Sequence, residues 1–413
     1  SITGKSLRIE VCMEAFLQPL QGLAEFEEIK KRCGANRGIL NVSGCMESQK
    51  VHLMYGLSGL FPCHLILADD ERNAKEIYED YRFYDKNVYF YPAKDLLFFQ
   101  ADIHGNLLIR QRMRVIRALL EQEEVTVVTS IDGCMDFLMP LEKIRSRLLH
   151  FKSDSVIDLD QLKADLVDLG YERVGQVELP GQFSVRGGII DIYPLTEENP
   201  WRIELWDDEI DSIRSFDAES QRSLENIDEI TIYPATEKME SFLDYFPEEK
   251  TLLFLDELNH LAENGEGVEE EYRQSRMHRE EKGEANLPEQ WLCGFQEVQK
   301  KLNRRNCVAV SALSPRRSGW KINEEFDLTV KSVDSYNSSF EILVKDLLQY
   351  KSQGYRIALL SGSRTRAERL AKDLSEEGLN AFYSQDMDRI ISPGEIMVVY
   401  GHARRGFQYP LIK

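Results

Sequence analysis

The sequence has few features that would place it in a membrane or an oxidising compartment. Its seven cysteines stand singly and form no C-x-x-C pair. An odd, scattered set favours reduced thiols packed as small apolar residues and argues against a disulfide framework or a zinc site. No run approaches the roughly 20 apolar residues of a membrane helix, and residues 1–17 lack the charged start and cleavage site of a signal peptide. We therefore expect a cytoplasmic protein with no membrane partner and no metal.

Basic residues are also fewer than acidic ones. The 413 residues include 71 Asp and Glu against 51 Lys and Arg, a formal net charge of −20. Nucleic-acid binding depends on neutralising phosphates, so this balance argues against a chain that binds DNA over its whole surface. Two arginine-containing stretches, 110–117 and 364–372, leave local phosphate contact open. A solvated helix face is the simpler interpretation of the first stretch, and a plain β-α turn with its helix is the simpler interpretation of the second.

The length of the chain exceeds one ordinary core and predicts about three domains. Between residues 37 and 130, apolar strands alternate with amphipathic helices, which is typical of a parallel sheet covered by helices on both faces. The strands predicted in this part are 37–44, Cys63–Ala68, Val88–Tyr91 and Val125–Ser130.

Residues 44–51, here called the relic loop, have the frame of a phosphate-binding loop, G-x-x-x-x-G-K-[ST]. Gly44 and Lys50 are in place, but Gln49 replaces the second glycine and Val51 replaces the hydroxyl that would ligate Mg²⁺. Such a loop needs glycines so that backbone N–H groups can wrap the phosphates, and the hydroxyl for the metal. We therefore expect no tight ATP binding and interpret the loop as a remnant of an ATPase-derived scaffold.

A second remnant of ATPase chemistry follows the apolar run 251–255. It ends in Asp256 and Glu257, which is typical of a motif that positions magnesium and water in helicase-like ATPases. Two carboxylates without a working phosphate loop cannot hydrolyse ATP. The motif therefore indicates only that the strands follow one another in the order found in helicase-like ATPases. The following segment, 263–289, is highly charged and contains several glycines, and it is expected to be extended or mobile.

The stretch 171–194, YERVGQVELPGQFSVRGGIIDIYP, is the most distinctive part of the chain. Pro180 and Gly181 predict a tight turn between two antiparallel strands. Side chains alternate between the two faces of the second strand, so Phe183 and Val185 are expected to point inward. Ser184 and Arg186 are expected to point outward. Taken alone, this pattern is also compatible with an ordinary hairpin that carries a solvated arginine.

The same stretch, continued by 201–224, resembles the small second domain shared by the excision-repair protein UvrB and the transcription-repair coupling factor. In that family an arginine follows the tyrosine of the opening strand, a Gly-x-aromatic step precedes an Arg-Gly corner, and an aliphatic-Asp-aliphatic-aromatic-Pro run closes the motif. The matching positions here are Tyr171, Arg173, Gly181, Phe183, Arg186, Gly187 and 190–194.

The resemblance implies an adaptor without catalytic residues that recruits the repair protein UvrA to a stalled RNA polymerase. Arg173 and Arg186 would form charged hydrogen bonds to UvrA, and Phe183 and Tyr193 could add apolar contact. RNA polymerase and DNA would bind parts of a longer protein outside this chain, which is expected to stop in mid-pattern. ATP and magnesium are expected only in motor domains outside it, and the chain itself is expected to be a monomer.

The expected fold is multidomain α/β. A degenerate helicase-like parallel-sheet domain (1–145 and 235–325) would hold an inserted small α+β domain (146–234), and a further small, truncated α/β domain would follow (335–413).

The alternative hypothesis is a UvrB-like or helicase-like ATPase acting on damaged DNA. Gln49 and Val51 argue against it, as does Asn259, which stands where UvrB has a histidine. The loop 92–105 also leaves no room for the DNA-inserting hairpin of UvrB.

Overall fold

The computed structural model describes most of the chain, namely residues 13–93, 104–138, 141–195, 197–234, 240–282, 292–316, 319–334, 336 and 339–413. The chain divides into two compact units, the first made of 1–88, 248–263 and 299–413 and the second of 89–247 and 264–298. The four-part division made from the sequence stays a prediction. Most of the loop predicted to lack room for a hairpin, 94–103, lies outside the described residues.

The described helices include two 3₁₀ turns, Gln18–Gly22 and Phe242–Tyr245. The α-helices are α1 (Glu14–Leu17), α2 (Ala24–Arg32), α3 (Glu47–Ser58), α4 (Glu71–Tyr84), α5 (His104–Glu121), α6 (Ile131–Cys134), α7 (Leu141–Ser146), α8 (Leu159–Asp168), α9 (Leu258–Glu281), α10 (Phe295–Leu302), α11 (Phe340–Ser352) and α12 (Arg364–Glu376).

The described strands form several sheets. In chain order they are β1 (Gly38–Ser43), β2 (Cys63–Ala68), β3 (Val88–Tyr91), β4 (Val125–Ser130), β5 (Phe137–Leu138), β6 (Leu149–Lys152), β7 (Glu172–Arg173), β8 (Gln182–Arg186), β9 (Ile189–Ile192), β10 (Trp201–Trp206), β11 (Glu209–Phe216), β12 (Ser223–Asn226), β13 (Glu229–Ile232), β14 (Glu240–Ser241), β15 (Thr251–Asp256), β16 (Asn306–Val310), β17 (Ile322–Asp327), β18 (Lys331–Val333), β19 (Ile357–Ser361), β20 (Asn380–Tyr383), β21 (Glu395–Tyr400) and β22 (Gly406–Gln408).

The first unit contains a parallel sheet with the strand order β17-β1-β16-β15-β2. Every residue of β1, β2 and β15 is buried, as expected for parallel strands covered on both faces. A second parallel sheet, β19-β21-β20, packs α11 and α12 on one side through Leu347, Ala367 and Leu374. The predicted parallel α/β fold is thus confirmed.

The second unit holds β3 and β4 side by side, and a six-stranded sheet ordered β12-β11-β10-β9-β8-β7. The side chains of this sheet pack against α8 around Phe183, Ile190, Ile203 and Leu166. Helix α8 begins after Asp158, whose carboxylate accepts hydrogen bonds from two backbone N–H groups of the first turn. The predicted α+β arrangement of this part is therefore present.

Two local predictions are wrong. Most of the segment 263–289, which is expected to be extended or mobile, belongs to helix α9. The end of this segment, 283–289, lies outside the described residues. The turn at Pro180 does not join an antiparallel pair, because β7 and β8 run parallel. Residues 174–180 loop back beside β8, where the Gln182 side-chain oxygen accepts from the N–H groups of Glu178 and Leu179 at 3.0 and 2.9 Å. The antiparallel hairpin is β8–β9 instead.

The predicted state of the cysteines is confirmed where the structure describes them. The six described cysteines form no disulfide with one another, and all but Cys33 are buried. None of the described helices combines the length and apolar composition that crossing a bilayer requires. Within the described ranges, no cluster of His, Cys, Asp or Glu is arranged to hold a metal ion.

Candidate functional site

The relic loop joins β1 to α3 in the first unit and keeps its first glycine for a packing reason. Gly44 has φ +78°, and a Cβ at this position would lie 2.1 Å from the carbonyl oxygen of Leu328. Only glycine accommodates both the backbone conformation and this close approach. The glycine that opens the motif is therefore needed by the fold whether or not a phosphate binds.

The backbone donors of the relic loop are already used inside the protein. The N–H groups of Gly44 and Cys45 donate to backbone carbonyls just after β16 at 3.2 and 3.1 Å. The N–H of Met46 donates to the Gln49 side-chain oxygen at 3.0 Å. Because a phosphate loop works by aiming such N–H groups at the ligand, a phosphate here would compete with three protein acceptors. Gln49, which replaces the second glycine, is one of those acceptors.

Lys50 is held by the two carboxylates of the second motif. Its Nζ lies 2.7 Å from Asp256 Oδ1 and 2.7 Å from Glu257 Oε1, and both Lys50 and Asp256 are buried. Burial opposes the charged ammonium, but the two carboxylates outweigh it and raise the pKa of Lys50 above its ordinary value. The other Asp256 oxygen accepts from Asn73 at 2.7 Å, and Glu257 also accepts from the Ala312 N–H at 2.8 Å. The structure thus brings both predicted motifs together as an ion cluster in which Lys50 and Asp256 are buried and Glu257 is partly buried.

Val51 completes the degenerate site by adding an apolar side chain to it. The residue is fully buried in α3, in line with the core residues Leu53, Met54 and Leu57. Where an intact motif would offer a hydroxyl to magnesium, this chain packs a core residue. Asn259, which stands where UvrB has a histidine, accepts from the Arg316 N–H at 2.9 Å and is a structural contact of the α9 start.

In the second unit, the two arginines predicted to bind a partner lie on neighbouring strands. Arg173 is exposed in β7, the edge strand of the six-stranded sheet, opposite Phe183 of β8. Arg186 lies at the end of β8, three residues further on. With strands about 4.8 Å apart and a rise of about 3.3 Å per residue, their Cα atoms are separated by roughly 11 Å. Among the described residues, the Arg173 side chain has no ion-pair partner.

Arg186 is only partly free. Its guanidinium donates to Asp191 Oδ2 at 2.7 Å, while its side chain remains 49% exposed. Arg202 binds the same carboxylate through two further hydrogen bonds at 2.7 and 2.9 Å, and Asp191 itself is completely buried. The remaining donors of the Arg186 fork face solvent and can meet a carboxylate on a partner.

The two aromatic residues predicted as partner contacts lie inside the domain. Phe183 is fully buried in the core, and Tyr193 is also buried. The Tyr193 hydroxyl donates to the Glu198 carbonyl at 2.8 Å and accepts from Arg110 at 2.9 Å. In this conformation neither ring can contact a partner. Ser184, expected to point outward, is 1% exposed because its hydroxyl donates to the Gly175 carbonyl at 3.0 Å.

A further exposed residue was missed by the sequence analysis. Trp206 ends β10 and is 81% exposed, while the adjacent Leu205 N–H donates to the Gly188 carbonyl at 2.8 Å. This pairing places Trp206 beside the corner that follows Arg186. The sequence signal was available, since an indole directly before the acidic turn 207–209 has no core to enter at the tip of a hairpin.

The arginines of α5 form ion pairs within the second unit and differ in their exposure to solvent. Arg112 is buried and forms an ion pair with Asp136. Arg114 lies 3.7 Å from Glu198, and Arg117 pairs with Glu121 at 3.2 Å. The interpretation of this row as a solvated face therefore fits Arg114 and Arg117, which are exposed, and is wrong for the buried Arg112. The ion pairs of these arginines within the unit weaken the case for phosphate contact.

Comparison with known proteins relates this geometry to one repair family. The family model of the UvrB interaction domain matches residues 149–237, which contain the six-stranded sheet and α8. A transcription-repair-coupling factor of Bacillus subtilis (strain 168) is 26% identical over 451 residues, covering 90% of this chain. Similar factors of Staphylococcus aureus (strain MRSA252) and Staphylococcus epidermidis (strain RP62A) are 26% and 25% identical over 79% and 80% of it.

The chain spans only part of these relatives, 38% of the first and 33% of the other two. A yeast Dbp5 structure matches with 9% identity and a TM-score of 0.28, covering 96% of this chain and 76% of that one, a likeness too low to inform the fold. The sequence similarity along most of the chain, the matched domain and the degenerate parallel-sheet unit agree. The chain is similar to transcription-repair-coupling factors over most of its length, and its residues 149–237 match the UvrB interaction domain.

Proposed function

We propose that this chain is the adaptor part of a transcription-repair-coupling factor and that its UvrB interaction domain binds UvrA. The observation that carries the proposal is Arg173, an exposed arginine without an ion-pair partner among the described residues, at the edge of a domain that matches the family model. An unpaired guanidinium on a rigid strand is suited to bind a carboxylate of a partner through two hydrogen bonds.

Three exposed side chains, those of Arg173, Arg186 and Trp206, are expected to contribute unequally to the affinity for UvrA. Arg173 can give its whole fork to UvrA, so its removal should cost roughly 2 kcal/mol, about thirtyfold in affinity. Arg186 shares its fork with Asp191, so its removal should cost less. Trp206 would add an apolar contact beside Arg186, since exposed tryptophan is a frequent anchor of interfaces.

The same proposal includes the absence of ATPase activity in this chain. It is supported by the occupied loop donors, by the ion cluster around Lys50 and by the apolar Val51. RNA polymerase, DNA and ATP-driven movement are assigned to other parts of a longer protein, because the relatives extend well beyond the share that this chain covers. Location in the cytoplasm and a monomeric state remain predictions.

A binding experiment with UvrA tests the proposal. Wild type, Arg173→Ala, Arg186→Ala and Trp206→Ala are compared on immobilised UvrA, with Arg222→Ala as the control because it removes another exposed arginine of the same domain. The three site variants should bind more weakly and Arg222→Ala should bind like wild type. Wild-type affinity in all three site variants would show that the surface is wrongly assigned.

The ATPase alternative is tested separately by calorimetric titration with Mg·ATP. The wild-type chain should release no binding heat. Tight binding that Lys50→Ala abolishes would replace the adaptor proposal with the ATPase hypothesis.

A further inference from the structure

A segment near the end of the first unit lies across the relic loop. Residues 401–409, here called the strap, include β22 and follow β21 of the second parallel sheet. The backbone N–H of Arg405 donates to Ser48 Oγ at 3.0 Å, and the N–H of Arg404 donates to Asp80 Oδ1 at 3.0 Å. Ser48 in turn donates to Asp80 Oδ2 at 2.7 Å. The start of α3 and the strap are therefore joined through backbone groups of the strap.

A second connection runs through Gln49, which is completely buried. Its side-chain nitrogen donates to the Tyr409 hydroxyl at 3.3 Å, while its oxygen accepts from the relic loop. The Tyr409 hydroxyl also lies 2.9 Å from Nδ1 of His52, whose Nε2 lies 2.7 Å from the carbonyl oxygen of Phe16. A carbonyl only accepts, so in the neutral ring Nε2 carries the proton and Tyr409 donates to Nδ1. Gln49, Tyr409 and His52 thus have matched donors and acceptors.

The strap also forms a wall of the space above Lys50. A cavity of about 470 Å³ is lined on one side by the relic loop, Lys50 and Glu257. Residues 332–334 and 405–407 line the other side. Arg405 pairs with Glu47 of the loop at 3.2 Å across this space. A phosphate group at Lys50 would therefore have to enter beside the strap and displace both carboxylates.

We propose that the relic loop is a docking site for the strap of the same chain, in which Ser48 binds the strap backbone and Gln49 binds Tyr409. The residue that replaced the second glycine then has a binding role of its own. The site that holds a nucleotide in an intact loop instead connects the ATPase-like part of the first unit to the sheet β19-β21-β20. Docking of the strap and binding of a nucleotide exclude each other. This proposal is independent of UvrA binding.

Hydrogen exchange measured by mass spectrometry tests the proposal in the whole chain. Gln49→Ala and Tyr409→Phe should each speed exchange of the strap amides, Arg404 and Arg405 included, roughly tenfold, which corresponds to losing one hydrogen bond of ordinary strength. Exchange in residues 149–237 should not change. The matched controls are Gln353→Ala and Tyr400→Phe, which alter exposed side chains of the same unit and should leave the strap unaffected. Strap exchange at the wild-type rate in both Gln49→Ala and Tyr409→Phe would overturn the proposal.

A second test restores the glycine and the hydroxyl of the phosphate-binding motif. The double variant Gln49→Gly with Val51→Thr is titrated with Mg·ATP by calorimetry, and its strap exchange is measured. The proposal predicts faster strap exchange, because a glycine at position 49 has no side chain to reach Tyr409. It also predicts no tight nucleotide binding while Lys50 is held by Asp256 and Glu257. Tight ATP binding with strap exchange unchanged would show that the strap does not close the site.

Discussion

The role of Lys50 gives the sharpest prediction about the first unit. If this lysine is structural, Lys50→Ala leaves the buried Asp256 and the partly buried Glu257 as adjacent carboxylates, each without its 2.7 Å cation partner. Breaking a buried ion pair from one side costs about 3–5 kcal/mol, because the remaining charge is uncompensated. For a unit of this size such a loss lowers the melting temperature by about 10 °C. A lysine kept for ATP would instead show lost nucleotide affinity with little change in the stability of the free protein.

The assay is differential scanning calorimetry at pH 7 on wild type and Lys50→Ala. Lys345→Ala, which removes an exposed lysine of the same unit, is the control and should melt like wild type. The triple variant Lys50→Met, Asp256→Asn, Glu257→Gln removes all three charges and should recover most of the loss, since a neutral replacement of a buried ion cluster is often tolerated. A melting temperature of Lys50→Ala within about 2 °C of wild type would refute the structural role.

Two further predictions concern single buried side chains. Burial lowers the pKa of His52 to about 4 from its ordinary value of 6.5, so the folded state keeps the ring neutral. The contribution of the neutral His52 ring to the free energy of unfolding is complete above pH 6.5 and is lost as the pH falls towards 4, by up to about 3 kcal/mol. Urea titrations of wild type and His52→Gln should therefore differ between pH 6.5 and 4. Identical pH profiles of the two proteins would contradict a buried, neutral His52. Phe183→Ala should destabilise the interaction domain by about 3–5 kcal/mol, seen as faster exchange in α8 and β9 but not in β15; unchanged exchange in α8 would place this ring outside the core.

Much of the fold follows from sequence pattern, because buried parallel strands are continuous apolar runs. The predicted bounds of β2, β3 and β4 agree with the structure. Such elements carry their signal locally. The mostly apolar run of β2 and the polar cap Asp158 of α8 are examples, and distant contacts add little to their prediction.

Helix α9 shows why other elements could not be predicted. Its sequence is charged and contains glycines, which disfavour an isolated helix. Gly265 lets the ring of Phe295 approach so closely that a Cβ would lie 2.2 Å from it, and the Glu269 carboxylate accepts from the Phe295 N–H at 2.7 Å. The helix is stabilised by a contact with residues about 30 positions away. No local pattern records that contact.

In the candidate sites, too, the sequence identifies individual residues but not the contacts between them. The phosphate-loop frame identified Lys50, and the apolar run that ends in two carboxylates identified Asp256 and Glu257, but neither pattern shows that these residues bind each other. Arg173 and Arg186 were identified by resemblance, yet only the structure distinguishes Arg173, which has no ion-pair partner among the described residues, from Arg186, which shares Asp191. The use of Gln49 by Tyr409, 360 residues away in the chain, could not be seen in the sequence at all.

The central claim is that Arg173, which has no ion-pair partner among the described residues, binds a carboxylate of UvrA. Calorimetric titration of the whole chain with UvrA, comparing wild type, Arg173→Lys and Arg173→Ala, tests it most directly. The account predicts an intermediate affinity for Arg173→Lys, which keeps the charge but loses the planar fork, and roughly thirtyfold weaker binding for Arg173→Ala. Equal affinity of wild type and Arg173→Ala, with the fold of the domain intact, would contradict it.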